Sequence, residues 1–443
     1  MSEYIDCYYA RSRADTAPRP YLDNAMAVGT AIVGGGFAGL TVALELARSG
    51  QSIVLLESRR IAWGASGRNG GFCAPGYAIG FDDIARQVGD ETARELYGLS
   101  RDAVGYVRCN LAAFGMPVDP GRMGHISARR VPARAKLEHY RDKMAKLGAE
   151  LRVLGVEETR ALLQSERYFE SVVEPLTFAM HPLNYALATA REIERLGGKI
   201  FENTPALSIG RSGAAHLIAT PRGGINARNV VFCTGGYTGR LMPALRRAML
   251  PIATYAMATE PCAEPLDHAI ATPMCVSDDR RAGDYYRRLE DGRLLWGGRI
   301  TTRTRDSQDL AALLRRDMVE VYRQLSGVRI ETAWSGLMAY ARHQMPQVGR
   351  LEDGLWYCTG FGGHGLNTTA AAGRLIAAAI AEGDDRYRVF APFGLTWNGG
   401  PLGPVAARFV YWKLQAEDWW AERRRAQKKV GTAPSDVQPS STT

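Results

Sequence analysis

An apolar run at residues 28–33 breaks into glycines, gives way to a helical period at Leu40, Ala43, Leu44 and Ala47, and is followed by a second apolar run, Ile53-Val54-Leu55-Leu56, tipped by Glu57. That succession predicts strand, helix and parallel strand. From about 80 to 165 the period is helical with charged faces, as at residues 137–147, and Gly124-His125-Ile126-Ser127 interrupts it as a short strand. A helix over 184–198 stops at Gly197-Gly198, Lys199-Ile200-Phe201-Glu202 reads as a strand, and a meander leads to the buried strand Val230-Val231-Phe232-Cys233. Residues 250–335 alternate with period two, and one helix is expected over 309–325. Asp291-Gly292, set between Tyr285-Tyr286-Arg287-Arg288-Leu289 and Leu294-Leu295-Trp296-Gly297-Gly298, predicts a two-residue hairpin. Gly360 to Gly365 then leads into a helix over 369–381.

These elements predict an α/β fold in which a Rossmann-type nucleotide-binding domain is interleaved with an antiparallel-sheet, α+β substrate domain. Nucleotide-binding pieces fall at 28–80, 170–249 and 336–400, and substrate-domain pieces at 81–169 and 250–335. A polar arm with Pro18 and Pro20, residues 1–27, is expected on the surface. Residues 401–430 are expected to be helical, and the Thr-, Ala-, Pro- and Ser-bearing tail 431–443 disordered.

The break after the first run is Gly34-x-Gly36-x-x-Gly39. Gly34 allows a tight turn, Gly36 lets backbone approach a pyrophosphate, and Gly39 lets helix and strand pack closely. Unpaired amides at the helix start, around Phe37 and Ala38, face the phosphates. Glu57, followed by Ser58 and Arg59, stands where a carboxylate accepts from ribose hydroxyls and disfavours a 2′-phosphate. Past the second strand the chain reads Gly64-Ala65-Ser66-Gly67-Arg68-Asn69-Gly70-Gly71. Its small residues let backbone pass close to a flat ligand, and Arg68 is placed to neutralise phosphate. Thr234-Gly235 offers a further close approach.

These two glycine segments and Glu57, with residues 230–237 and 360–365, resemble the D-amino-acid-oxidase-type flavoprotein family. Within it the chain is most similar to the gamma-glutamylputrescine oxidase and L-pipecolate oxidase branch. The resemblance runs over roughly residues 8 to 400 and implies FAD as cofactor. It implies cofactor contacts at the residues named above and at Gly362, Gly363, His364, Gly365 and Leu366. No cysteine falls where the sarcosine-oxidase branch tethers its flavin, so the FAD is expected to be noncovalent.

Composition removes several other classes. At 443 residues, 46% apolar and 23% charged, the chain is globular and long enough for two intertwined domains. A net charge of +9 raises nucleic acid or an anionic surface as a partner. Only seven of the 55 basic residues are lysine, however, and the arginines are spread along the chain, so nucleic acid is not expected. Seven cysteines form no C-x-x-C pair and no ligand spacing with the seven histidines, so neither a disulfide framework nor a metal is expected. Cys233 and Cys358 sit in apolar runs and are expected to be buried. No signal-peptide pattern opens the sequence, and glycines at fingerprint spacing account for the apolar stretch from Val28 to Ala47, so a cytoplasmic location is expected.

A flavin that oxidises an amine needs donors beside its N1–O2 edge, a grip on the substrate and a dry cavity over N5. The loop Gly362-Gly363-His364-Gly365-Leu366-Asn367, opening a helix, suits the first through backbone amides and the helix dipole. His364 is a candidate catalytic residue; a loop histidine bonded to backbone is the other reading. If the chain from Met338 is a strand, then Met338, Tyr340 and Arg342 share one face, and a hydroxyl and a guanidinium converge on a substrate carboxylate. The family motif places its carboxylate-binding arginine a few residues before proline and glycine, here Arg342. Family members usually follow it with proline, and this chain has His343, so a structural role for Arg342 stays open. Trp296-Gly297-Gly298 is expected to floor the cavity, with Tyr255 and Tyr286 in sheet packing.

The leading reading is oxidation of the C–N bond of a small-molecule amine or amino acid to an imine by hydride transfer to flavin N5, with oxygen or another acceptor taking the electrons. The substrate expected is gamma-glutamylputrescine-like, pipecolate-like or another primary or secondary amine. A second reading is a membrane-surface dehydrogenase feeding quinone, motivated by the tryptophans and arginines of residues 411–429. Packing of that helix on its own domain or on a second subunit is the plainer account. A third is a nucleotide-binding protein without catalysis. Oligomeric state has no signal in the sequence.

Overall fold

In a computed structural model, residues 3–280, 283–302 and 309–430 are described. The first apolar run becomes β1 (Ala25–Val33), which turns into α1 (Phe37–Arg48) and then β2 (Ile53–Leu56). Farther along lie β3 (Gly224–Phe232), β4 (Leu250–Thr259), β5 (Tyr285–Arg288), β6 (Leu294–Thr301), β7 (Ile330–Tyr340) and β8 (Leu355–Thr359). Two helices close the chain, α2 (Gly365–Glu382) and α3 (Gly403–Val430). The tail expected to be disordered, 431–443, lies outside the described residues.

One sheet places β1 at its centre, parallel to β3 on one side and β2 on the other, with β8 parallel beyond β3. All four residues of β2 are buried, Ile53 and Leu55 in the cluster that holds α1, Val54 and Leu56 in a second cluster with Leu22, Ile218 and Ile225 on the opposite face. α1 and α2 pack together on one face, where a Cβ on Gly373 would come within 2.8 Å of Thr41. The alanines of α2 permit that approach. The carboxyl ends of β1, β2, β3 and β8 therefore open on one crevice, the position at which an open α/β sheet takes a ligand.

The second sheet runs β7, β4, β6, β5, then Cys275–Asp278, His125–Ala128, Ser171–Glu174 and Arg152–Leu154. It is not purely antiparallel, because Cys275–Asp278 runs parallel to His125–Ala128. Its outer face packs on the helix Leu310–Val321 through Met257, Trp296, Leu314 and Met318, and its inner face, with Ala256, Leu295 and Trp334, joins the core of the first domain.

Several expectations are corrected. Leu289 and Arg293 pair across three residues, and Gly292 takes φ +76° with its N–H donating to Leu289 O. The β5–β6 loop is thus a three-residue hairpin with a left-handed glycine, not a two-residue one. Ser171–Glu174, placed at the start of a nucleotide-binding piece, pairs in the second sheet, whereas the helix Asp90–Ala113 sends Leu96, Val104, Val107 and Leu111 into the core of the first domain. Residues 3–27, expected within a surface arm, are not one. Tyr8–Arg11 is helical with Cys7 and Tyr9 buried, Leu22 is buried, and Ala25 already begins β1. Among the described residues no helix is long and apolar enough to cross a membrane.

Candidate functional site

The fingerprint turn sits at the crevice as the glycine spacing demands. Gly34 has φ +110°, and a Cβ there would lie 2.6 Å from Cys233 O; one on Gly39 would lie 1.9 Å from Gly34 O. Those two glycines are dictated by packing within the protein. Gly36 differs: its backbone is extended, and an added Cβ would meet only the Ser66 side chain, with Oγ at 3.0 Å. Around Gly235 and Gly365, at the ends of β3 and the start of α2, a Cβ would find nothing within 4 Å. Three backbone segments thus reach the same crevice with their glycine faces open, which fits a long flat dinucleotide such as FAD.

Glu57 closes this cradle. Its Oε2 accepts from Gly35 N–H (2.7 Å), and its Oε1 accepts from Arg59 N–H (2.8 Å) and from the Ser58 hydroxyl (3.2 Å). Burial pushes the carboxyl above its ordinary value while those donors oppose the rise. The two donors on Oε1 fill its lone pairs, and Oε2 retains one for a ribose hydroxyl. Glu57→Gln turns an NH2 toward a backbone N–H or gives up a charged hydrogen bond. FAD affinity is expected to fall about tenfold to a hundredfold, from roughly 1–3 kcal/mol for such a bond, read by equilibrium titration of apoprotein.

The 64–71 loop is folded by its own side chains. Ser66 Oγ accepts from Phe37 N–H at the start of α1 (3.0 Å), Asn69 Nδ2 donates to Ala65 O and Ser66 O, and Asn69 Oδ1 accepts from Gly71 N–H. Arg68, expected at a phosphate, is buried and acts as a strut. Its guanidinium donates to Ser335 O (2.9 Å), the Tyr237 hydroxyl (2.9 Å) and Gly64 O (3.3 Å), and lies 4.6 Å from the Trp63 ring. Thr234 and Gly235 belong to the short turn that carries Tyr237, where the Thr234 and Thr238 hydroxyls bond at 2.7 Å.

Opposite the cradle, one face of β7 lines up Trp334, Gly336, Met338 and Tyr340. Trp334 Nε1 donates to Arg68 O, and Gly336 faces Ala65. A Cβ on Gly363 would come within 2.8 Å of the Met338 sulfur and 2.9 Å of the Tyr340 hydroxyl. Gly362 N–H donates to Ala339 O on β7 and His364 N–H to Phe361 O, so two amides expected to face a ligand are used by the protein's own backbone. The donors that helix geometry leaves over are those of the first turn of α2, at Gly365, Leu366 and Asn367. Burial pushes the Tyr340 hydroxyl well above its ordinary value, with Tyr411 of α3 adding to the rise, so it stays protonated.

His364 has the backbone-bonded role. Its Nε2 faces Ala74 O and Pro75 O, both at 3.2 Å, so Nε2 carries the hydrogen and the ring ties residues 74–75 to the start of α2. Arg342 does not share the Tyr340 face through strand alternation, because β7 ends at Tyr340. Arg342 lies in the following turn, exposed, while His343 staples that turn by accepting from Met345 N–H (3.1 Å) and bonding to Gly394 O (3.2 Å). Trp296 is not the cavity floor: it is fully buried on the outer face, stacked on Tyr286 at 4.5 Å. Tyr255 and Tyr286 pack in the sheet as expected.

The inner face instead presents Tyr285, whose ring covers Gly70 and Gly297, with Phe72 edge-on to it at 5.9 Å and His125 6.1 Å from Phe72. Arg287, the next-but-one residue, donates to Gly70 O (2.9 Å), Met180 O (3.0 Å) and the Tyr9 hydroxyl (3.1 Å), fastening the glycine loop to the N-terminal helix. Sequence reasoning passed over Phe72, His125, Tyr285 and Arg287. The parity of the β5–β6 strands, read outward from the hairpin, is the signal that separates Tyr285 and Gly297 from Trp296.

Burial lowers the imidazole of His125 from 6.5 to about 4, His364 adding to it, and lowers His181 to about 4, with Arg287 adding. The unfolded chain therefore binds more protons than the folded one between these values, and stability falls as pH drops from 6.5 toward 4. The loss is up to about 3 kcal/mol per histidine. A melting temperature that declines across this window, and less steeply in His125→Gln, is the expected result of thermal scans; a flat profile contradicts the buried neutral pair.

The family described as FAD dependent oxidoreductase matches residues 30–379. The chain is 32% identical over 394 residues to the gamma-glutamylputrescine oxidoreductase of Escherichia coli, covering 88% of this chain and 92% of that protein. A probable oxidoreductase, OrdL, of Haemophilus influenzae is 29% identical over 398 residues, 88% of this chain and 91% of that one. Among solved structures, glycine oxidase from Geobacillus kaustophilus superposes with a TM-score of 0.71 at 21% identity, covering 84% of this chain and 98% of that one. The L-proline dehydrogenase from P. horikoshii gives 0.69 at 19%, covering 86% and 100%. At such identities the likeness shows the shared fold.

Proposed function

The chain belongs to the FAD dependent oxidoreductase family, and from that premise we propose that it oxidises the C–N bond of an elongated amine whose carboxylate lies far from the reacting carbon. Its relation to the gamma-glutamylputrescine oxidoreductase supports this class. The observation that carries the reading is the division of labour at the end of β7: Tyr340 and Met338 sit against the Gly362–Gly363 loop, and Arg342 stands beyond the strand in an exposed turn. A short amino acid needs its carboxylate gripped beside the reacting carbon. A guanidinium at the rim suits a carboxylate at the far end of a longer molecule.

Bound in this crevice, FAD would supply the hydride acceptor. The amides of Gly365 and Leu366, at the positive end of α2, would be placed to stabilise negative charge on it. Phe72, Tyr285 and Met338 exclude water, and the protonated Tyr340 hydroxyl donates a hydrogen bond into the site. Loss of hydride from a neutral amine, pushed by the nitrogen lone pair, needs no dedicated general base and leaves an iminium cation, which water hydrolyses to the carbonyl and the released ammonium or amine.

In air, gamma-glutamylputrescine is expected to be turned over with a kcat/KM at least about tenfold above putrescine or pipecolate, following roughly 1.4 kcal/mol per decade for one retained carboxylate contact. Equal efficiency with pipecolate would overturn the elongated-substrate reading. Acid precipitation of the purified yellow protein is expected to leave all flavin in the supernatant as FAD; flavin in the pellet contradicts noncovalent binding.

A further inference from the structure

α3 carries two opposed faces. Ala407, Tyr411, Leu414, Asp418 and Glu422 are half-buried against the protein. On the other side Val405, Phe409, Trp412, Trp419 and Trp420 are exposed by 47%, 62%, 55%, 49% and 56%. At about 100° per residue these five fall within roughly 100° of arc. No carboxylate shares that arc: Glu417 stands to its side, paired with Lys413 at 3.8 Å, and Asp418 and Glu422 turn inward. Arg423 does share it, with its guanidinium 4.3 Å over the Trp419 ring. A row of large apolar side chains in water is costly unless something covers it.

We propose that this outer face of α3 is a docking surface for an anionic lipid bilayer, with Phe409, Trp412, Trp419 and Trp420 entering the headgroup layer. Tryptophan and phenylalanine settle at that boundary, and basic residues beside them pair with anionic headgroups. The charge supports this occupant. Residues 403–430 hold seven basic and three acidic residues, and five of the basic ones fall in the last eight positions, Arg423, Arg424, Arg425, Lys428 and Lys429. A second copy of the chain seated on the same face would set like charge against like charge. The inward Tyr411 lies within electrostatic reach of Tyr340, so a docked helix holds the rim of the candidate site toward the bilayer.

The test is cosedimentation of the full-length, flavin-loaded protein with vesicles of phosphatidylcholine alone and of phosphatidylcholine mixed with phosphatidylglycerol. Binding is expected to the mixed vesicles and to be weaker by about tenfold or more without the anionic lipid. The combined Trp412→Ser, Trp419→Ser, Trp420→Ser variant, whose changes are all exposed, is expected to keep its flavin and to lose about tenfold or more in vesicle affinity. Absence of binding to either vesicle overturns the proposal, as does unchanged binding by the triple variant. A dimer seen by sedimentation velocity without lipid and abolished by that variant assigns the face to a second copy instead.

Discussion

Gly36→Val protein is expected to fold with native secondary structure and to hold no FAD. Gly36 has extended backbone, φ −80° and ψ −179°, which valine adopts without strain. On the protein side its Cβ meets only Ser66, and turning that hydroxyl aside gives up the bond from Phe37 N–H, a cost of about 1 kcal/mol. The larger cost falls on the ligand, because the branched side chain stands where pyrophosphate meets the backbone. A loss of about a thousandfold or more in affinity, roughly 4 kcal/mol, is expected. Gly39→Val is the control: its Cβ would fall 1.9 Å from Gly34 O, so that variant fails in folding, not only in binding. Circular dichroism with the flavin-to-protein absorbance ratio separates the two, and a Gly36→Val protein with full FAD would show that the fingerprint does not hold the pyrophosphate.

The second large effect is expected at Arg342. Replacing it by lysine keeps the charge and loses the planar fork, so a bidentate contact to a carboxylate becomes a point contact. Some of that binding energy orients the reacting carbon, so flavin reduction with a carboxylated amine should lose roughly tenfold to a thousandfold in efficiency, at about 1.4 kcal/mol per decade. The exposed turn puts most of the loss in affinity and less in the limiting rate. FAD content should not change, and amines without a carboxylate should be nearly indifferent. Equal slowing of both amines would assign Arg342 to shaping the cavity; slowing of neither would remove it from substrate binding.

What was legible in the sequence follows from local rules that tertiary structure did not override. The unit β1–α1–β2 was readable because glycine spacing, apolar period and the acidic tip are all short-range. The shared face of Met338 and Tyr340 was readable because strand parity is local. Arg342 was misplaced by the same rule, since nothing in Tyr340-Ala341-Arg342 announces that pairing stops and a turn stapled by His343 begins. Trp296 was misassigned because a tryptophan beside two glycines suits either face; only the pairing of β6 with β5 and β4 shows that Gly297, not Trp296, faces the cradle. Arg68 and Tyr9 were beyond reach. Their partners, Ser335 and Tyr237 for the one and Arg287 for the other, lie more than a hundred residues away.

The most direct measurement is anaerobic stopped-flow mixing of the purified, FAD-loaded protein with a gamma-glutamylated amine, following flavin absorbance and then assaying the quenched mixture for the aldehyde. Single-turnover bleaching of the flavin is expected, with one aldehyde formed per flavin and much slower bleaching with the same amine lacking its carboxylate. Flavin that stays oxidised against primary and secondary amines, carboxylated or not, would contradict the proposed oxidation.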